Sequence, residues 1–555
     1  MGAGLADAIS AFQGGDLARA RILAERQIEQ GPSPQLHHLI GLIDCREGKL
    51  DSGIGWLRRA FEAEPERTAY RLMLIRALID GGHGAEAFVL ARRPDRTGPA
   101  ELPLWNARSE AADAAGEADA AVEACQILSA SGSGDWRNLA NLGRNLLKLE
   151  RLADAELAYR QALALAPTEV EPIHELGLVY ERTNQHDRLA ELLDSSLRLG
   201  IAKDRLAELW VILELRAGRI GVARKLLDRS PPGQDAARWY RLRAKAADAA
   251  GDYAEAFEAA TQMNRATPEF DEWRARAVAY RQELRGLADS MSRDWAARLP
   301  TLPPSAAANL AFLIGFPRSG TTLLDTFLLG HPQIAVIEEK GLLVACGRAL
   351  GRATELPDRS TIEIERARAT YSALLEKQAG HGSAALIVDK APLNMLAAPL
   401  IHCLFGQVPT IFAQRHPCDA VLSGFMQSFV ANLGMASFLD LDGAADFYDA
   451  AMSVWMRSRE VLPLRTHTIV YEDLVRYPEP TLGPLVEFLG LGWDDRMLDH
   501  RSTAKARGPI PNPSYNQVTE DLHDRAIGRW RRYEKQLEPV LPVLLLWAER
   551  LGYHD

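Results

Sequence analysis

The stretch that most constrains the fold is residues 311–324. Ala311-Phe312-Leu313-Ile314 is an apolar run of strand length, Gly315-Phe316-Pro317-Arg318-Ser319-Gly320 is a turn, and the apolar segment opened by Thr321-Thr322-Leu323-Leu324 reaches Leu329. The order reads as strand, tight loop, helix. Gly315 and Gly320 allow backbone angles and close approaches that a side chain forbids, so successive N–H groups converge on an anion at the positive end of the following helix. An ordinary strand-to-helix turn is the alternative.

Gly315 and Gly320 have the spacing of the two glycines in G-x-x-x-x-G-K-[ST]. Thr321, however, stands where a nucleotide triphosphatase has its lysine, and Thr322 follows where Ser or Thr holds magnesium. A P-loop kinase or NTPase therefore lacks its lysine here, and no persuasive Walker-B aspartate follows. Arg318, inside the loop, brings positive charge from a different place and can fork two donors onto one oxyanion group.

The first half of the chain repeats. Gly41 and Gly143 lie 102 positions apart and Gly143 and Gly177 lie 34 apart; Leu50 and Leu152, Ala60 and Ala162, and Pro65 and Pro167 keep the 102-residue offset. A 34-residue period with a small residue at the helix crossing and a proline after the second helix is the tetratricopeptide (TPR) signature. Residues 35–68, 136–169 and 170–203 are the clearest units, flanked by diverged ones. Each repeat packs only on its neighbours, so the array curves and offers a concave, partner-facing side. Trp136, Tyr159, Tyr180 and Trp210 have helical spacing, which fits core packing better than a peptide groove. Helical pattern continues over 271–298 and stops at Pro300, Pro303 and Pro304, which make a stiff linker. The expected organisation is a TPR-like array over 1–268, a helical connector and Pro-rich linker over 269–308, and an α/β domain over 309–555 with a mainly parallel, P-loop-like sheet.

At 555 residues, several domains are needed. With 47% hydrophobic and 25% charged residues the chain is not disorder-like, and a net charge of −10 argues against nucleic acid as a partner. The five cysteines are scattered and never form Cys-x-x-Cys, which argues against a disulfide framework or a zinc ribbon; no other cluster suggests a metal. The N-terminus lacks a basic start and long apolar core, and no run approaches a membrane span, so a cytoplasmic location without membrane attachment is expected. Oligomeric state is open.

Beyond the loop, three strand-like stretches end on polar residues, where an open α/β sheet has its ligand crevice. Residues 334–337 lead to Glu338-Glu339; 384–388 lead to Asp389-Lys390-Ala391-Pro392; 408–413 lead to Gln414-Arg415-His416-Pro417 and a helix containing Ser423. A cation at Lys390 can neutralise charge on a leaving phosphate, and a guanidinium with a hydroxyl at one helix start can bracket another phosphate. Helix capping by Glu339 and a solvated Lys390 are the plainer alternatives.

Phe316-Pro317-Arg318-Ser319-Gly320-Thr321-Thr322, followed by His331-Pro332, resembles the 5′-phosphosulfate loop of sulfotransferases that use 3′-phosphoadenosine-5′-phosphosulfate (PAPS). The likeness is to tyrosylprotein sulfotransferases and to bacterial proteins that join that domain to TPRs, and it spans about residues 309–533. It implies sulfuryl transfer to an acceptor hydroxyl with adenosine 3′,5′-bisphosphate (PAP) as product and no metal. Glu339, 21 positions after Arg318, falls on the family's catalytic base. Arg318, Lys390 and Ser514 fall on the groups that steady the phosphosulfate and leaving oxygen. Arg415, Ser423 and Arg529 fall on 3′-phosphate contacts, and Tyr471 on a nucleotide contact, although tyrosine at a strand end is as often a packing residue. Tyr515 stands on a 3′-phosphate contact that is normally serine, and Gln427 stands where an arginine is usual. The proline-rich stretch 507–518 is long enough to act as a lid. Gly341 and Ala345 replace arginines that meet acidic peptides in the family, with Arg348 and Arg352 nearby. A protein or peptide tyrosine recruited by the TPR array is the first acceptor; saccharide, lipid and small-metabolite hydroxyls stay open. The competing class is a repeat scaffold with an inactive transferase domain.

Overall fold

The computed structural model describes residues 3–94, 98–132, 134–233, 235–303, 309–379, 384–507 and 521–554. The chain forms two compact units, Met1–Leu209 and Trp210–Asp555.

The first unit is built of antiparallel helix pairs in which the sequence period becomes geometry. Leu50 and Leu152, one 102-residue offset apart, open the second helices Leu50–Ala63 and Leu152–Leu165 of two pairs. Gly41 and Gly143 sit where the paired helices cross. A Cβ there would lie 2.7 Å from Leu57 Cγ and 2.7 Å from the Tyr159 ring, closer than side chains tolerate. Ala60 and Ala162 are fully buried on the opposing helices. Tyr159 and Tyr180 are core residues, as is Trp210 in the second unit, and Trp136 is half-buried.

The second unit is organised by a five-stranded parallel sheet: β1 Leu310–Gly315, β2 Ile334–Glu338, β3 Leu386–Lys390, β4 Thr410–Gln414 and β5 Thr466–Val470, in the order β2-β3-β1-β4-β5. β1 is buried on both faces, which explains its unbroken apolar run. Phe312 and Ile314 enter a core with Tyr448 and Trp455, whereas Ala311 and Leu313 enter one with Leu324, Phe327, Ile411 and Ile469. Because β1 connects toward β2 on one side and the chain later crosses to β4 on the other, the sheet has a topological switch point at the carboxyl ends of β1 and β4.

Helices well before the Pro-rich segment belong to this same unit. Leu284, Leu287, Met291 and Trp295 share the core of Phe312 and Trp455. The buried Asn264 amide donates to the carbonyls of Phe425 and Phe438 at 3.0 and 3.1 Å, and Arg281 pairs with Asp446 at 2.7 Å. The division between compact units thus falls at 209/210 rather than in the proline cluster, because tertiary burial ties helices Ala236–Ala249, Tyr253–Arg265 and Phe270–Ser290 to the sheet's cover. Tyr471, read from sequence as the end of a strand, opens helix Tyr471–Arg476. Among the described residues no helix is long and apolar enough to cross a membrane.

Candidate active site

All five strands point their carboxyl ends at one edge, and each ends at or next to a residue singled out in the sequence. β1 runs into the loop carrying Pro317, Arg318 and Ser319, and helix Thr321–Leu329 follows, with Gly320 as its N-terminal cap. Gly320 has φ of 86°, and a Cβ on it would lie 2.4 Å from Tyr471 Cδ2, so only glycine fits between loop and ring. Arg318 also adopts a left-handed conformation, with φ of 70°. Ser319, Thr321 and Thr322 are buried behind the loop.

Three guanidinium groups gather around this loop. Arg318 Nε donates to Ser423 Oγ at 3.0 Å. Arg415, directly after β4, donates through Nη1 to the Arg318 carbonyl at 2.9 Å and through Nη2 to the Ala526 carbonyl at 2.6 Å, with its guanidinium 4.7 Å from the Tyr471 ring centre. Its Nε is buried and has no hydrogen-bond partner among the described residues. Burial, reinforced by the charge of Arg415 and, more weakly, of Arg529, lowers the Arg318 pKa to about 10, against an opposing effect of Tyr471. Arg529 contacts Asp248 at 3.2 Å and lies over the Tyr533 ring at 5.5 Å. Cations that repel one another, Arg415 buried and Arg318 and Arg529 half-buried, form a site that an anion stabilises.

Beside the cradle lies a second, acidic cluster. Lys390 ends β3 in register with Glu338 at the end of β2. Its Nζ, wholly buried, meets Glu338 at 2.6 Å, Glu339 at 2.9 Å and Asp325 at 3.2 Å. Arg507 closes the other side, 2.8 Å from Asp325 and 2.7 Å from Glu338. Burial alone depresses the basicity of Lys390, but Asp325, Glu339 and Glu338 outweigh it and the net shift is upward. Burial raises the Asp325 pKa, opposed by Lys390 and Arg507. Glu339 is the most exposed of the three acids, at 47% of its side chain. The sequence places Lys390 against a phosphate; in the fold its ammonium is enclosed by carboxylates, because Asp325 and Glu338 converge on it from neighbouring elements.

Asp325 and Arg507 have no role in the sequence reading, and Glu338 enters it only as the neighbour of Glu339 at a strand end. One signal was available: Asp325 is the single charged residue inside helix Thr321–Leu329, whose other members are threonine, leucine and phenylalanine. Two supporting acids also escaped notice. Asp419 accepts the N–H groups of Gly528 at 2.7 Å and Trp530 at 2.8 Å, fixing the turn on which Arg529 sits. Glu472 accepts the N–H of His416 and the hydroxyl of Tyr553, both at 3.0 Å. Ser514, Tyr515 and the proline-rich stretch after Arg507 lie outside the described residues.

Residues 311–495 match the model described as the sulfotransferase family, so the second unit carries a sulfotransferase-family domain. The chain is 27% identical over 244 residues to an uncharacterised protein of Aquifex aeolicus, covering 42% of this chain and 32% of that one. It is 25% identical over 263 residues to protein-tyrosine sulfotransferase 2 of Gallus gallus, covering 44% and 69% respectively. The chain therefore spans only about a third of the Aquifex relative. Among solved structures, the sulfotransferase domain from the Synechococcus PCC 7002 olefin synthase aligns at 24% identity and a TM-score of 0.31, over 46% of this chain and 97% of that one.

Proposed function

We propose that residues 309–555 move a sulfuryl group from PAPS to an acceptor hydroxyl, with a protein or peptide tyrosine as acceptor, and that the helical repeats present that acceptor. One observation carries the donor assignment: two guanidinium groups, the half-buried Arg318 and the buried Arg415, meet at the switch point with the Ser423 hydroxyl, and the buried Arg415 Nε has no partner among the described residues. A doubly phosphorylated nucleotide fits such a donor set.

Bound there, the donor supplies an activated sulfur–oxygen bond whose leaving group is the nucleotide phosphate. The chain's own residues align the partners and offset moving charge. Pro317, Ser319, Gly320, Thr321 and Thr322 form the loop with Arg318 around the 5′ end, Arg415, Ser423 and Arg529 hold the 3′-phosphate, and Tyr471 packs against the nucleotide. Glu339 takes the proton from the acceptor hydroxyl as its oxygen bonds to sulfur. Lys390 and Ser514 serve the leaving oxygen; the 2.9 Å contact of Lys390 with Glu339 supports a further task, holding that carboxylate at the strand end.

The likeness to a protein-tyrosine sulfotransferase supports a tyrosine acceptor, and an attached repeat array supports a macromolecular one by raising local substrate concentration. Gly341 and Ala345 replace the arginines that flank the base in the family, so acidic residues around the tyrosine are not required unless Arg348 and Arg352, on the following segment, serve instead. The test is calorimetry with PAP, followed by transfer of labelled sulfate from PAPS into a cell extract, with the full chain and with Glu339→Gln. Binding plus labelled protein that disappears with Glu339→Gln supports the assignment. Failure to bind PAP, or phosphate transfer from ATP instead, overturns it.

A further inference from the structure

The helix pair Ala236–Ala249 and Tyr253–Arg265 does more than fill space beneath the sheet's cover. It touches the two segments that carry the candidate 3′-phosphate residues. On the first segment, Phe257 stacks on Phe425 with ring centres 4.8 Å apart, and Asn264 binds the Phe425 carbonyl at 3.0 Å. Phe425 ends helix Pro417–Phe425, which bears Ser423. On the second, Tyr253 packs against Tyr533 at 5.1 Å, while Asp248 accepts the Tyr533 hydroxyl and contacts Arg529 Nη2 at 3.2 Å.

We infer that Asp248 is a positioning residue for the donor site, aiming Arg529 at the 3′-phosphate from a helix that precedes the transferase sheet in sequence; this rests on the PAPS reading above. The physical case is asymmetry among the three cations. Arg415 donates to two carbonyls and Arg318 donates to the Ser423 hydroxyl. Arg529 contacts an ionised partner, supplied by the preceding helix. Its remaining contacts are the Met426 sulfur at 3.4 Å and Tyr533, through both ring and hydroxyl, so Asp248, which also holds the Tyr533 hydroxyl, is its charged anchor. The carboxylate also offsets one charge of a mutually repelling trio, which lets Arg529 stay near Arg318 before an anion arrives. The helix pair is thereby a built-in part of nucleotide recognition, and it carries a function distinct from acceptor presentation.

The experiment is calorimetry on the full chain with two probes, PAP and adenosine 5′-monophosphate, which lacks the 3′-phosphate. Asp248→Asn is expected to weaken PAP about tenfold, the size of one charge-assisted hydrogen bond, and to leave the monophosphate unchanged. Asp248→Glu should restore part of the loss. In an Arg529→Gln background, Asp248→Asn should add nothing, because a residue acting through another is silent once that one is gone. Equal weakening of both probes, no weakening, or a full additional loss in the Arg529→Gln background overturns the inference while leaving the donor assignment intact. Wild-type protein that ignores PAP overturns both.

Discussion

The ammonium of Lys390 and the carboxylate of Glu339 are 2.9 Å apart, and the backbone joins the same two residues, Glu339 N–H donating to the Lys390 carbonyl at 2.7 Å. Glu339 meets these contacts in a left-handed conformation with φ of 50°, which costs a non-glycine residue about 1–2 kcal/mol. Two bonds from the end of β3 thus hold the proposed base in a backbone state it would not choose alone.

Replacing Glu339 by Gln keeps the shape and removes the proton acceptor. Transfer should fall by about 10²–10⁴ while PAP affinity stays within about twofold. Single-turnover transfer and calorimetry on the same preparation separate the two quantities, and an equal loss in both would point to a collapsed site.

Lys390→Met removes one of the two cations that, among the described residues, balance Asp325 and Glu338, the other being Arg507. Breaking a buried ion network by removing one partner costs about 3–5 kcal/mol, so the urea midpoint should drop sharply. A midpoint within experimental scatter of the parent would show the acids reaching water when the lysine is gone.

Asp389, beside Lys390 but on the opposite face of β3, accepts the Tyr371 hydroxyl at 2.8 Å, and burial pushes its pKa up to about 6. A folded pKa above the unfolded one contributes stability that is complete below about pH 4 and lost as pH rises through about 6. The span corresponds to a cost on the order of 3 kcal/mol at neutral pH. Asp389→Asn should therefore flatten stability between pH 4 and 6 and raise it above pH 6, as read by urea unfolding across that range.

Gly320→Ala puts a methyl group 2.4 Å from the Tyr471 ring at a φ of 86°. Displacing the ring moves the surface over which Arg415 lies, so PAP binding should weaken by about tenfold or more and stability should drop by about 1–3 kcal/mol. Gly341→Ala, at φ of 64° with nothing within 4 Å, provides the comparison: the same backbone cost without the collision.

Much of the sheet edge that gathers Arg318, Arg415 and Ser423 was legible in the sequence. The loop at 315–320 was readable because glycine spacing and an apolar strand are local properties, and Arg415 and Ser423 because they lie eight residues apart, one just before and one within the short helix Pro417–Phe425. The acidic cluster was less legible. Glu338 and Lys390 are 52 positions apart and Asp325 and Arg507 are 182 apart, so their partnership exists only once strands are ordered. Asp248 and Arg529 are farther still, and no periodicity links a repeat helix to a turn fixed by Asp419.

The sequence by itself determined the elements: a 34-residue helix period with glycine at its crossings, a strand-loop-helix cradle, and strand ends carrying Glu339, Lys390 and Arg415. Those depend on local backbone preference and side-chain alternation, which the chain encodes residue by residue. Tertiary structure decided the strand order β2-β3-β1-β4-β5, the burial of Lys390 among three carboxylates, and the placing of helices after Trp210 with the sheet. Each of these follows from which distant surfaces exclude water together, a property that no single window of sequence contains.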